Sequence, residues 1–254
     1  MHEAMQCINN LQETSFRINQ PVLEVLDHIW RNNIPVHGLT SRENIEQVPY
    51  PFDTQPKELN KQQEKEFKLW VRKRAATFKA NAKTMSKRLQ IERTIQIAKN
   101  DLDLEKFWYV WQFDFRGRAY PKSDFLHPQS ADYGRALIEF TKGIAINQEE
   151  DARWLAIHGA NCFGEDKISL DEREDWAYDH EEDIVKTAEN PFDYTWWMTA
   201  DKPFSALAWC FEFYGYLKEG MGYVTTLPVS AEQVTSGELN SVNSFTPVLG
   251  QCVF

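Results

Sequence analysis

From Met1 to about Asn33, apolar residues recur at helical spacing (Ile18, Val22, Leu23, Val25, Leu26, Ile29, Trp30). Pro21 stands where the first turn of a second helix tolerates it, so the pattern predicts a helical start throughout. The stretch 34–57 is proline-rich and aperiodic, and reads as a connecting loop. From Leu59 to about Asn100 there is no Gly or Pro and strong helix formers dominate, which predicts one long helix or two nearly collinear ones. The pattern then changes period. Phe107 to Phe113 is an aromatic run that reads as a strand, and the step Arg116-Gly117-Arg118 as its turn.

Helices are expected near Gly134 to Thr141 and near Glu150 to Cys162. The acidic stretch Leu170 to Asn190 and the apolar segment Phe204 to Leu217 also read as helical, and a strand is expected near Tyr223 to Val229. The fold class is therefore mainly α with a small antiparallel β element (α+β). Three regions follow: a helical part over 1–104 that carries the basic helix, a mixed part over 105–229, and a tail over 230–254. The tail has neither alternation nor helical period and is expected to be poorly ordered.

Composition sharpens this picture at one point. The chain carries a net charge of -10, yet between Lys65 and Lys99 eleven Lys/Arg face only Glu66 and Glu92, a local excess of nine that leaves -19 on everything else. That separation of sign suggests a basic element on an acidic body, fitted to a polyanion; a solvated helix face is the plainer alternative. The four cysteines (Cys7, Cys162, Cys210, Cys252) are scattered and form no C-x-x-C pair, which suits a reducing cytoplasm and suggests neither a zinc ribbon nor a disulfide framework. The longest apolar run, Ser205 to Leu217, contains Glu212 and is too short to span a bilayer.

The candidate chemistry centres on "DFRGRAYP" (Asp114 to Pro121). A guanidinium offers a planar fork of donors that matches phosphate oxygens, so Arg116 and Arg118 suit nucleic-acid backbone. Asp114 could hold one of them by a salt bridge, and Tyr120 could pack on a sugar or base. His158 sits beside Leu155 and Ile157 and reads as a packed side chain. Trp196 and Trp197 read as core, with base stacking as the lesser alternative. Glu149, Glu150 and Asp151 read as the start of a helix, where carboxylates suit the macrodipole.

"DFRGRAYP" resembles the D-x-x-G-R motif of the single-subunit, phage-type DNA-directed RNA polymerases, a family that includes mitochondrial enzymes. The blocks "ADYGRALIEFTKG" (131–143), "WLAIHGANCFGEDK" (154–167), "NPFDYTWWMTADKPFSALAWCFEF" (190–213) and "TLPV" (226–229) are similar to consecutive pieces of that family, in the same order. The resemblance implies a thumb-like helical part up to residue 104, followed by the first section of the polymerase palm. It implies that Asp114, Arg116, Gly117 and Arg118, with Tyr120, lie against the DNA template and the RNA-DNA hybrid. It also implies that Lys167, and less directly Lys142, lies near the phosphates of an incoming nucleoside triphosphate.

In the complete family enzyme two palm aspartates hold Mg2+ ions for in-line nucleotidyl transfer. The first opens a D-G-[ST]-x-x-G signature just after the L-P-V strand. Here "LPVSAEQVTSGELNS" places Glu232 near that position without the glycine, and the coincidence carries no metal assignment. No catalytic or metal-binding residue is therefore assigned in this chain, and none is expected to hold Mg2+ alone. Two readings remain open. One is a truncated or split polymerase gene product, inactive until a C-terminal part is supplied, whose tail is foreign sequence from a frameshift or an intervening sequence. The other is a non-catalytic nucleic-acid-binding or regulatory protein derived from the family.

Overall fold

The computed structural model describes residues 2–52 and 60–229. The tail, with Glu232, lies outside the described residues. In chain order the elements are α1 (His2–Glu13), β1 (Ser15–Ile18), α2 (Gln20–Arg31), α3 (Lys61–Asp101), β2 (Phe107–Trp108), β3 (Trp111–Phe113), β4 (Ala119–Pro121), α4 (Asp132–Ala136) and β5 (Ile138–Phe140). These are followed by β6 (Ile144–Ala145), α5 (Glu149–Phe163), α6 (Leu170–Asp179), α7 (Glu181–Glu189), a 3-10 turn (Trp196–Thr199), α8 (Pro203–Glu219) and β7 (Val224–Thr225). The architecture is mainly α with small antiparallel sheets, as the periodicity predicts.

The helical start is not continuous. Four residues, Ser15 to Ile18, form β1, the central strand of a three-stranded sheet in the order β2-β1-β5, with Phe16 opposite both Phe107 and Phe140. Phe16 and Ile18 point inward and Arg17 outward, a period of two too short to stand out between two helices. α2 then begins where Asn19 caps it, its Oδ1 accepting the Val22 N–H at 3.2 Å. The helix buries Val22, Leu23, Val25, Leu26, Ile29 and Trp30.

The aromatic run is also two strands rather than one. β2 joins the central sheet, whereas β3 leaves it after Tyr109 and Val110 to pair with β4. The helix expected over 134–141 is only the single turn α4, because Ile138 to Phe140 are taken up by the edge of β1. The C-terminal strand is shorter than expected: β7 pairs with β6, and the Phe140 N–H reaches the Thr226 carbonyl at 3.0 Å.

The core gathers buried side chains from this sheet and from α2, α5 and α8. Trp197, Trp209, Phe204 and Phe213 are fully buried in it. Trp197 donates its Nε1–H to the Pro191 carbonyl at 3.0 Å, and Trp196 stacks on Phe163 with centroids 4.2 Å apart, so both tryptophans belong to the core as their apolar setting suggests. α5 starts at Glu149 with Glu150 and Asp151 in its first turn, and Asp151 Oδ2 accepts the Asn147 N–H at 3.2 Å.

α3 runs for 41 residues, about 60 Å at the usual helical rise. Asn60 and Gln63 close a capping box at its start. Only Ile91, Thr94, Ile95 and Ala98, near its C-terminal end, are buried. Its outer part is braced by the preceding loop instead of by a core. Trp70 Nε1 donates to the Val48 carbonyl at 3.0 Å, Asn81 exchanges two hydrogen bonds with the Ile45 backbone, and Arg88 grips the Ser41 carbonyl at 2.6 Å and Asn44 Oδ1 at 2.8 Å. The loop of residues 34–52 is thus a strut along the basic helix.

Candidate nucleic-acid interface

β3 and β4 form a short antiparallel hairpin with Phe113 opposite Ala119. Its turn is organised by one side chain. Asp114 Oδ1 accepts the backbone N–H groups of Arg116 (2.8 Å) and Arg118 (3.0 Å), while Oδ2 accepts Arg118 Nε (3.0 Å) and Nη2 (2.8 Å). The Asp114 N–H closes the turn on the Arg118 carbonyl at 2.9 Å, and Gly117 N–H reaches the Asp114 carbonyl at 3.1 Å. Gly117 takes a φ of +79°, which a side chain would disfavour. Its glycine is thus a requirement of the turn rather than of packing, since nothing lies within 4 Å of an added Cβ.

The two arginines are displayed in different states. Arg118 is held by Asp114 and lies over the Tyr120 ring at 5.4 Å. Arg116 lies over the Phe115 ring at 5.0 Å, and no hydrogen bond or ion pair among the described residues engages its guanidinium. The Asp114 carboxyl is pushed below the usual carboxylate range, chiefly by the Arg118 backbone N–H and then by the Arg118 guanidinium and the Arg116 N–H. Asp114 is therefore a fixed anion that shapes the turn, and Arg116 is the cation left to solvent.

Around this turn the surface is unusually apolar for exposed protein. Phe115 is 91% exposed, and Trp108, Val110 and Phe113 are also exposed. Lys106 caps Trp108 at 5.6 Å. Exposed rings interleaved with cations offer both stacking faces and phosphate donors. Sequence reasoning singled out the arginines and missed Phe115. The signal was there, since a residue of a five-residue turn has no core to enter.

The two candidate lysines lie elsewhere in the chain's framework. Lys142 is exposed in the turn between β5 and β6. Lys167 is exposed in the α5–α6 turn, which Arg173 stitches together through the Ile168 carbonyl (3.0 Å), Asn161 Oδ1 (2.9 Å) and the Asp166 carbonyl. Neither turn forms part of the arginine hairpin.

Comparison with known proteins agrees with the motif order. The family described as DNA-dependent RNA polymerase matches residues 146–237, a span that continues past Val229. The DNA-directed RNA polymerase of Enterobacteria phage T3 is 34% identical over 239 residues, covering 93% of this chain. T7 RNA polymerase of Escherichia phage T7 is 33% identical over 241 residues, again 93% of this chain. The chain belongs to the single-subunit, phage-type RNA polymerase family. A mitochondrial member, DNA-directed RNA polymerase 1 of Arabidopsis thaliana, is 34% identical over 213 residues, or 83% of this chain.

The chain spans about a quarter of the length of these polymerases: 26% of the T3 and T7 proteins and 21% of the Arabidopsis one. Among the described residues, no group of three or more His, Cys, Asp or Glu side chains is placed to hold a metal ion. No described helix is long and apolar enough to cross a membrane.

Proposed function

We propose that this chain supplies the thumb-like helical part (1–104) and the first section of the palm (105–229) of a template-directed RNA polymerase, and that the β3–β4 hairpin holds the DNA template and the RNA-DNA hybrid by their backbones. The observation that carries the reading is the unpaired Arg116 guanidinium beside an Asp114-clamped Arg118 on an exposed aromatic turn. Arg116 donates to phosphate. Arg118, oriented by Asp114, presents its charge in a fixed direction, and Tyr120 supports it. The basic helix α3, largely exposed outside its C-terminal end, adds further positive charge. Lys167 and Lys142 approach the phosphates of a nucleoside triphosphate.

Magnesium, in the complete enzyme, stabilises the attacking and leaving oxygens. The chain alone should bind nucleic acid without extending a primer, and activity should require a separately supplied C-terminal polymerase part. The work takes place in the cytoplasm, that of a bacterial host if the chain is phage-encoded.

The deciding experiment is fluorescence anisotropy of a labelled RNA-DNA hybrid titrated with the whole chain across a salt series of about 50 to 200 mM. Binding should show little sequence preference and fall steeply with salt. Arg116→Ala should weaken it about tenfold at low salt and lower the log-log salt slope by about one. Equal affinity and equal slope for the variant and its parent would remove the phosphate role from this turn. A second reading, a free-standing binding protein, is favoured by one fact: the hairpin and its clamp are complete within this chain. Failure to recover primer extension with a C-terminal part, alongside intact hybrid binding, would select it.

A further inference from the structure

A second cationic constellation lies away from the hairpin, between α4, α5 and the start of α8. A cavity of about 60 Å³ is lined by Arg135, His158, Asn161, Lys202 and Ser205, and by apolar residues that include Leu227 and Val229. A buried water needs about 10–15 Å³ on this measure, so the space takes several waters or one tetrahedral oxyanion. Two of its polar atoms are buried and have no partner: Arg135 Nε and His158 Nδ1. His158 itself is only 6% exposed. Its other nitrogen, Nε2, faces Cys162 Sγ at 3.7 Å, which leaves Nδ1 as its open atom.

Arg135 has no carboxylate partner among the described residues. The acid nearest to it in sequence, Asp132, is engaged at the start of α8, where it accepts the Phe204 N–H (2.8 Å), the Ser205 N–H (3.3 Å) and the Ser205 hydroxyl (2.5 Å). A buried guanidinium nitrogen and a buried imidazole nitrogen without acceptors cost free energy until something supplies them. A negative occupant suits this space, because the two charged groups that bear on His158 among the described residues are cations. Arg135 faces it from α4 and Lys202 from the residue before α8, while Cys162 is the titratable neighbour on its own helix. The mainly apolar wall strengthens any charge placed inside.

We propose that this cavity is an oxyanion site that takes a phosphate group through the Arg135 guanidinium and the His158 Nδ1–H, with Lys202 adding its charge. A tetrahedral anion can accept from the Arg135 and His158 donors, on two different elements, at once. The phosphate is that of inorganic phosphate, of pyrophosphate or of a nucleotide tail. The site rests on the cavity and not on the hairpin, so it stands or falls separately from the reading above.

The test is calorimetric titration of the whole chain with inorganic phosphate, pyrophosphate and a nucleoside triphosphate in turn, without divalent metal. One saturable site per chain is expected. Arg135→Gln should weaken it at least tenfold and Arg135→Lys should recover part of the loss. Pyrophosphate and triphosphate binding more tightly than phosphate identifies a diphosphate-bearing ligand; equal affinities identify free phosphate.

If Arg135→Gln fails to fold, the parent chain decides by proton NMR. Burial, Lys202 and Arg135 push the His158 pKa down to about 4, and a bound anion must move that midpoint upward, so binding tightens as pH falls. Absence of saturable binding in the parent chain, an Arg135→Gln variant that binds as well as the parent, or an unmoved His158 midpoint would overturn the site. Lost hybrid binding with retained phosphate binding would sink the hairpin reading alone.

Discussion

Gly159 in the "IHGAN" segment offers a test in which two physical effects oppose each other. It lies inside α5, where replacing Gly by Ala on an open helix face would stabilise by about 1 kcal/mol. The structure gives the opposite sign. An ideal Cβ at Gly159 would fall within 2.5 Å of Trp209 Cδ2 and closer still to Cε2 and Cζ2, whereas real Cβ atoms essentially never approach below 3.0 Å. The ring cannot step aside cheaply: Trp209 is fully buried, its Nε1–H donates to the Leu155 carbonyl at 2.8 Å, and it packs against Phe213 at 5.2 Å.

Overpacking of this kind costs about 1–3 kcal/mol and a lost buried hydrogen bond about 1–3 more, from which the helix gain of about 1 is subtracted. Gly159→Ala should therefore destabilise by about 1–5 kcal/mol, or lower the melting midpoint by about 2–20 °C in a chain of this size. Urea denaturation followed by tryptophan fluorescence measures it. Pairing the change with Trp209→Leu should recover part of the loss, since the two side chains compete for one volume. A Gly159→Ala variant that is as stable as the parent, or more so, would refute the close approach of α5 and α8 on which the core is built.

Two further outcomes follow from the surface elements. Asp114→Asn removes the charge that clamps Arg118, so the hairpin should loosen and hybrid affinity should fall even though neither arginine is touched. Because the Asp114 carboxyl is held below its ordinary range, the order it gives is present above the unfolded carboxylate range and is lost as pH falls through the lower folded value. Amide exchange at Gly117 and Arg118 should accelerate over that acid window in the parent and show no such dependence in the variant. Arg88→Ala releases the strut at Ser41 and Asn44, so protease nicking within residues 41–52 should rise several-fold while the global unfolding free energy changes by less than about 1 kcal/mol; a large global loss would show that the strut belongs to the core.

What was legible in the sequence followed the range of the interactions involved. The long helix α3, the start of α5 and the arginine turn are local: a Gly-free and Pro-free run, three acids at a helix start, and an aspartate whose partners lie two and four residues away. Each is written within a few consecutive residues, and the ordered motifs made the family recognisable from them. β1 was not legible, because its four residues become a strand only through β2 and β5, some ninety and more than a hundred and twenty residues distant. The helix expected over 134–141 failed for the same reason, β5 being claimed by β1. The oxyanion cavity is the extreme case. Arg135 looks like an ordinary helix cation and His158 like a packed imidazole, and both descriptions are locally correct. Only when α4, α5 and α8 are brought together do two satisfied-looking residues become two donors without an acceptor. The deficit is a property of the packing, so no window along the chain could contain it.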